Sequence, residues 1–148
     1  YTNAAMEWGV EQEFYARAAY EAKTGNMVEQ VSAIDHPSIP MSAASPDGLV
    51  GDDGCLEIKC PNTATHIDTI LGEEPAKKYY DQMQWQMRCA DRSWCDFVSF
   101  DPRMPSHLQL FIKRIERNDL YIAELEKEVV QFLSEVDDKV KKLNEIKV

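Results

Sequence analysis

The sequence predicts a mixed α/β (α+β) fold, in which helices flank a central mixed sheet, from three features. Helical periodicity covers residues 4–24 and returns from about residue 118 to give a long C-terminal helix. Between them, short alternating stretches such as "LEIKC" (56–60) indicate strands. At 148 residues the chain is long enough for one core, so we predict a single domain over 1–148. Because the sequence opens inside an amphipathic pattern, we also expect an upstream segment.

The first helix is predicted over residues 4–24, where Trp8, Ala18 and Ala19 follow a helical period and Gly25 is a suitable stop. The next stretch, "MVEQVSAID" at 27–35, alternates as a strand should until two prolines end it. The order of elements that follows is strands, helix, strands and helix, which favours a sheet covered by helices.

The stretches "SPDGLV" (45–50) and "LEIKC" read as a hairpin around the GDDG turn. Because strand side chains alternate, Leu56 and Ile58 point to a core while Glu57 and Lys59 share the other face. A three-residue connection at 52–54 would place Asp47 opposite Lys59, so that Asp47, Glu57 and Lys59 converge. A two-residue connection would instead place Asp47 opposite Ile58 and separate the cluster.

The second half of the chain is predicted to alternate again between helix and strand. Residues 75–91 carry the mixture of aromatic and apolar side chains expected of a helix packed on a sheet, and "WCDFVSFDP" (94–102) and "LQLFIKRI" (108–115) indicate strands. The final helix has apolar residues every three or four positions and would cover the sheet or form an interface. These residues are Leu125, Val129, Phe132, Val136, Val140 and Leu143.

Composition excludes several classes of function. The net charge of −10 argues against a protein that coats nucleic acid by bulk electrostatics, so any such contact would be local. Because no apolar run approaches the roughly 18 residues that span a bilayer, no membrane segment is predicted. The three histidines are scattered and the cysteines lack paired CxxC spacing, which argues against zinc and favours reduced thiols in a cytoplasm. The cysteines are Cys55, Cys60, Cys89 and Cys95.

The converging charges point to metal chemistry. Mg²⁺ prefers oxygen ligands and commonly takes one or two carboxylates, which Asp47 and Glu57 would supply, with the Ile58 carbonyl completing the shell. Lys59 would then orient a water or offset negative charge on phosphorus, as in a phosphodiester hydrolase. The alternative is a surface hairpin in which Asp47 serves the turn and Glu57 and Lys59 form an exposed pair worth under about 1 kcal/mol.

Residues 45–61 resemble the PD-(D/E)xK nuclease signature, with Pro46-Asp47 followed by Glu57-Ile58-Lys59. Within that superfamily the chain is similar to the lambda-exonuclease or YqaJ group of viral recombinases, whose motifs occur in the same order over nearly the whole chain. The shared stretches are "EWGVEQE" (7–13), "SPDGL" (45–49), "LEIKCP" (56–61), "YYDQMQ" (79–84) and "FDPRM" (100–104).

The resemblance implies a restriction-endonuclease-like core and a set of site residues. Asp47 and Glu57 match the metal-binding carboxylates of the family and Lys59 its catalytic lysine. Glu13 matches a helix carboxylate that supports the metal site, and Gln82 a glutamine beside the active site. Without the resemblance, a solvated Glu13 and a core or capping Gln82 would be the simpler interpretations. The implied cofactor is Mg²⁺, with Mn²⁺ as a substitute.

The resemblance also implies a function. Members of the group are 5′→3′ exonucleases that digest one strand at double-stranded DNA ends and leave a 3′ single strand for an annealing protein. Several form homotrimeric rings, and a chain of phage or prophage origin would act in the cytoplasm of a bacterial host. The alternatives are a PD-(D/E)xK endonuclease or helicase-associated nuclease domain, and a noncatalytic DNA-end-binding or assembly module.

Several cations could provide local phosphate contacts, although a solvated cationic fringe is the commoner explanation of such a set. They are Lys77, Lys78, Arg88, Arg92, Arg103, Lys113, Arg114 and Arg117.

Overall fold

A computed structural model describes residues 1–147, so Val148, the last residue of the predicted domain, lies outside the described part. The α-helices of the described part are Ala4–Thr24 (α1), Thr63–Gly72 (α2), Lys77–Ala90 (α3) and Asp119–Asn144 (α4). Its strands are Val28–Glu29 (β1), Ile34–Asp35 (β2), Ala43–Ala44 (β3), Gly48–Val50 (β4), Gly54–Lys59 (β5), Trp94–Phe100 (β6) and Leu110–Glu116 (β7).

The strands form a five-stranded mixed sheet in the order β1-β4-β5-β6-β7 and a separate β2–β3 hairpin. In the large sheet β5 and β6 are parallel, and the other neighbours are antiparallel. A parallel pair needs a crossover between its strands, which α2 and α3 provide. The predicted mixed sheet flanked by helices, with a long C-terminal helix, is confirmed.

Helix α1 has the predicted bounds because both of its ends are capped. The Asn3 side chain accepts a hydrogen bond from the Met6 amide, and Gly25 ends the helix with a φ of 75°, a left-handed conformation that favours glycine. The helix packs against β5, β6 and β7 and buries Ala16 and Tyr20.

Two apolar layers lie on opposite faces of the sheet. On the face under α1, Leu56 and Ile58 join the first layer, as predicted; its other buried members are Ala16, Tyr20, Val50, Val98 and Phe100. The second layer lies under α3 and contains Leu49, Cys55, Met83, Met87, Cys95, Phe97 and Ile115. Because strand residues alternate, Glu57 and Lys59 share the face of this second layer.

The hairpin that carries the charged cluster has a three-residue connection, but at 51–53 and not at 52–54. Its register pairs Gly48 with Leu56 and Leu49 with Cys55, so the predicted pairing of Asp47 with Lys59 is wrong by two residues. A shift of two residues keeps every side chain on its predicted face. Asp47, Glu57 and Lys59 therefore still lie on one face of the hairpin, as predicted.

Other differences come from local pairing. The predicted strand at 27–35 is two short strands, because β1 pairs with β4 while β2 pairs with β3. Helix α2 was not predicted, and its one buried residue is the polar His66. Helix α4 packs mainly on α3, and Ile122 is its one fully buried residue. Of its two predicted roles, covering the sheet is therefore not the main one. None of the helices in residues 1–147 is long and apolar enough to cross a membrane.

The close packing of β5 on β6 gives a testable prediction. A Cβ atom on Gly54 would overlap the ring of Trp94, which is held in turn by the Arg114 guanidinium 3.6 Å from its centroid. We expect Gly54→Ala to lower the free energy of unfolding by about 1–3 kcal/mol in urea denaturation. The control is Gly9→Ala, since nothing lies within 4 Å of that position and a helical alanine should add about 0.5–1 kcal/mol. Equal urea midpoints for Gly54→Ala and Gly9→Ala would contradict the close packing of Trp94 on Gly54.

Candidate active site

Asp47 is fixed to β5 by its main chain and its side chain. Its amide donates to the Leu56 carbonyl at 3.0 Å, and its Oδ2 accepts a hydrogen bond from the Ile58 amide at 2.7 Å. The hairpin thus holds this carboxylate beside the end of β5, the strand that carries Glu57 and Lys59. Asp47 is half-buried.

Glu57 is only 1% exposed, although it carries a carboxylate. Its Oε1 lies 2.8 Å from the Lys59 ammonium, and its Oε2 accepts a hydrogen bond from Gln86 Nε2 at 2.7 Å. A buried charge needs such partners, since its loss of hydration is otherwise uncompensated. The alternative of an exposed Glu57–Lys59 pair on a surface hairpin is therefore wrong.

The two carboxylates repel each other. Burial, followed by the charge of Glu57, raises the pKa of Asp47 from 3.8 to about 7, against the opposing effects of the Ile58 amide and Lys59. For Lys59, burial alone would lower the pKa, but the Glu57 carboxylate outweighs it and the pKa is raised. Lys59 therefore stays charged at neutral pH. Ionising Asp47 in the folded protein costs free energy, because its carboxylate is partly desolvated and lies near Glu57.

Glu13 reaches the cluster from the opposite face of the sheet. It lies with Ile58 and Lys59 along an open cleft of about 710 Å³ between α1 and the start of α3. Its carboxylate binds Arg17 at 2.9 Å, and its charge contributes to the raised pKa of Asp47. The structure thus brings Glu13 to the edge of the site, where its carboxylate is engaged by Arg17.

Three glutamines of α3 have different surroundings. Gln82 is exposed and makes no hydrogen bond to either carboxylate within the described residues. Gln84 is buried, where it donates to the Glu116 carbonyl and accepts from the Asn118 amide. The glutamine that contacts Glu57 is Gln86, one turn after Gln82. Sequence reasoning missed it, although a polar residue three positions after the buried Met83 was a usable signal.

The last shared stretch, "FDPRM", links the end of β6 to the start of α2 and to α1. Asp101 is fully buried and accepts hydrogen bonds from Thr63 and from the main chain and guanidinium of Arg103. The Arg103 guanidinium in turn lies 4.2 Å from the centroid of the Trp8 ring. These contacts join two motifs that are far apart in the sequence.

The donor set fits a divalent cation with open coordination positions. Mg²⁺ commonly binds one or two carboxylates and leaves its other positions to waters and phosphate oxygens. Asp47 and Glu57 provide two such carboxylates, and the raised pKa of Asp47 marks a repulsion that a cation would relieve. Among residues 1–147, no three side chains of His, Cys, Asp or Glu are gathered closely enough to enclose a metal. An open site thus fits these residues better than a closed structural one.

Residues 1–93 match the family of YqaJ-like viral recombinase domains. No curated protein matches the chain. Among solved structures, the alkaline exonuclease LHK-Exo from Laribacter hongkongensis is 53% identical with a TM-score of 0.95, over 97% of this chain and 74% of that one. A structure of LHK-Exo in complex with dAMP gives 54% identity and the same TM-score, over 97% and 73%.

A phage-related exonuclease from Haemophilus somnus 129PT is 20% identical with a TM-score of 0.73, over 92% of this chain and 75% of that one. At this identity the likeness concerns the fold alone.

The raised pKa of Asp47 predicts how stability depends on pH. The pKa of this carboxyl is 3.8 in the unfolded chain and about 7 in the folded protein. Between these pH values the folded state binds more protons than the unfolded state, so the free energy of unfolding falls as the pH rises. In EDTA, Asp47→Asn should therefore be more stable than the unaltered protein above pH 7, on the order of 1 to 2 kcal/mol after solvent screening. Thermal melting from pH 4 to 9 measures this.

The matched control is Asp52→Asn, at an exposed turn position, which should leave the pH dependence unchanged. In Asp47→Asn the side-chain amide oxygen can still accept the hydrogen bond from the Ile58 amide, so any difference reports the charge. A parallel fall of stability with pH in Asp47→Asn and in the unaltered protein would contradict the repulsion between the carboxylates.

Proposed function

The chain belongs to the YqaJ-like viral recombinase family, and we propose that it uses the Asp47–Glu57–Lys59 cluster to hydrolyse DNA as a Mg²⁺-dependent 5′→3′ exonuclease. Family membership and 54% identity to an alkaline exonuclease make it a DNA exonuclease. The observation that carries the proposed mechanism is the pairing of a buried carboxylate, Glu57, with a half-buried one, Asp47, beside the charged Lys59.

In this proposal Asp47 and Glu57 would hold the cation, and the Ile58 carbonyl would complete its shell. A bound Mg²⁺, or Mn²⁺ in its place, would supply a water of lowered pKa and a polarised phosphoryl group. Gln86 and Lys59 each contact one oxygen of the Glu57 carboxylate and so orient it. The Lys59 ammonium lies at the cleft, where it can orient a water and offset negative charge on phosphorus.

Glu13 and Gln82 have supporting roles in the proposal. Glu13 lies on the cleft and its charge acts on Asp47, which suits a residue that orders waters around a cation. Gln82 is exposed one turn before Gln86, so it would meet the substrate and not the carboxylates. Both roles rest on the family resemblance together with these positions.

The product would be a 3′ single-stranded overhang for a strand-annealing protein, formed in the cytoplasm of a bacterial host from a phage or prophage gene. A homotrimeric ring would keep the enzyme on its DNA. The described part of α4 supports association of some kind, since its apolar side chains remain exposed, 61% for Phe132 and 65% for Leu143.

The experiment that tests this function compares linear duplex DNA labelled at the 5′ or the 3′ end with closed circular DNA, in Mg²⁺ and in EDTA. We expect Mg²⁺-dependent release of the 5′ label as a mononucleotide and no cutting of circles. Cutting of closed circles would favour an endonuclease. Binding to DNA ends without any cleavage would favour a noncatalytic module and overturn the proposal.

Lys59 should be needed for catalysis but not for metal binding. We expect Lys59→Ala to lower kcat on linear DNA by about 10²- to 10⁴-fold, since it removes a cation that acts on the developing charge. Calorimetric titration with Mn²⁺ should show binding retained in Lys59→Ala and weakened in Glu57→Gln. The control Lys77→Ala changes a lysine that is exposed and bound to Asp81, and should leave both measurements unaltered. Loss of Mn²⁺ binding in Lys59→Ala would contradict this division of roles.

A further inference from the structure

The cleft beside the carboxylates holds two ammonium groups that differ in their surroundings. Lys59 is bound to Glu57 and is 27% exposed. Lys78 lines the same cleft, is exposed, and forms no ion pair within residues 1–147. The cleft therefore carries one cation whose charge no acidic side chain of the described chain neutralises.

The ring of Tyr79 fixes the position of this free cation. The Lys78 ammonium lies 4.9 Å from the ring centroid, and the Lys59 ammonium lies 4.6 Å from the same centroid. The ring is itself held by stacking on the buried Phe97, with centroids 5.8 Å apart. A cation–π contact orients an ammonium but leaves it its charge and its hydrogen-bond donors. Lys78 is thus held in place and still able to bind an anion.

Most other cations of the described chain are paired with carboxylates. The paired residues outside the cleft are Arg17, Lys77, Arg88, Arg103, Arg114, Arg117, Lys127 and Lys141. Lys77 is the informative comparison, because it precedes Lys78 in the sequence and its ammonium lies 3.0 Å from Asp81. It does not line the cleft.

Lys78 also occupies a position that is unfavourable for the helix. It lies in the first turn of α3, which has no acidic residue in that turn and no side-chain cap. The positive end of the helix dipole favours carboxylates there and disfavours lysine. Lys77 has the same disadvantage, but Asp81 on the next turn offsets it. For Lys78 the described part of the chain shows no acidic partner, so its charge remains available to an anionic ligand.

We propose that Lys78, positioned by Tyr79, binds a backbone phosphate of the DNA strand in the cleft, next to the phosphate that meets Lys59. This rests on the proposed function. Both ammonium groups lie within 5 Å of the centroid of the same ring, so together they can contact neighbouring phosphates of one strand. Because the net charge of −10 gives no general attraction for DNA, a single local cation should contribute a measurable share of the binding.

The test measures binding of a short fluorescent duplex in EDTA by anisotropy, over a series of NaCl concentrations. EDTA stops metal-dependent cleavage, so binding is read alone. We expect Lys78→Ala to weaken binding on the order of ten-fold at low salt and to reduce the slope of log K against log salt by about 0.9, the value for one phosphate contact. Lys77→Ala is the matched control and should keep the slope of the unaltered protein.

Two further variants test the role of the ring and the fold. Tyr79→Phe keeps the ring and should bind as the unaltered protein does, whereas Tyr79→Leu should show part of the loss seen in Lys78→Ala. The melting temperature of Lys78→Ala should equal or exceed that of the unaltered protein, since a cation leaves the first turn of α3. If Lys78→Ala binds DNA more weakly but melts at the normal temperature, it has lost a contact with DNA and not its fold.

An unchanged salt slope in Lys78→Ala would overturn this proposal. If the unaltered protein cleaves linear DNA while Lys78→Ala keeps its slope, only the role of Lys78 fails. If the unaltered protein neither binds nor cleaves DNA, the proposed function fails with it.

Discussion

The repulsion between two carboxylates on one buried face is the constraint to which the rest of the structure responds. Asp47 and Glu57 lie side by side where hydration is limited, so each needs compensation from the protein. The Ile58 amide serves Asp47, while Lys59 and Gln86 each engage one oxygen of Glu57. The compensation is incomplete, because the pKa of Asp47 remains near 7. A divalent cation bound here would relieve this repulsion, so the unfavourable energy favours cation binding. Hydrophobic residues in place of the two carboxylates would avoid the repulsion but could not bind a cation.

The helix α3 supplies most of what surrounds the pair. It carries Gln86, which contacts Glu57, Tyr79, which contacts Lys59, and Lys78, which lines the cleft. Its outer side is held by the β2–β3 hairpin and by α4. His36 stacks on Trp85 of α3, accepts two main-chain hydrogen bonds at Nδ1, and therefore donates from Nε2 to Glu126 of α4. Within residues 1–147 this outer layer makes no hydrogen bond or ion pair with the side chains of Asp47 or Glu57, but it packs against the helix that carries Gln86.

The sequence predicted the features that depend on local periodicity. It did not predict contacts between residues that are far apart in the chain. Alternation in β5 placed Glu57 and Lys59 on one face, and a register error of two residues left that result intact. Helix α2 was not predicted, although Ile67, Ile70 and Leu71 have helical spacing over its short length. Its one fully buried residue is the polar His66, which donates to the Leu108 carbonyl and accepts from the Ser99 hydroxyl. The extent of burial of Glu57 and its bond to Gln86 depend on how α3 crosses the sheet, which no spacing within the sequence encodes.

Under the proposed function, the same electrostatics couples the cofactor to the substrate. Glu13 lines the cleft, and Asp47 and Glu57 lie beside it around Lys59, so their negative charge repels a phosphate. Lys59 and Lys78, which also line the cleft, attract it. A cation held between the carboxylates would remove the repulsion. Thermodynamic reciprocity then requires DNA to tighten cation binding by the same factor by which the cation tightens DNA. In a chain with a net charge of −10, this coupling would confine productive binding to the cleft, since the average surface offers a polyanion no attraction.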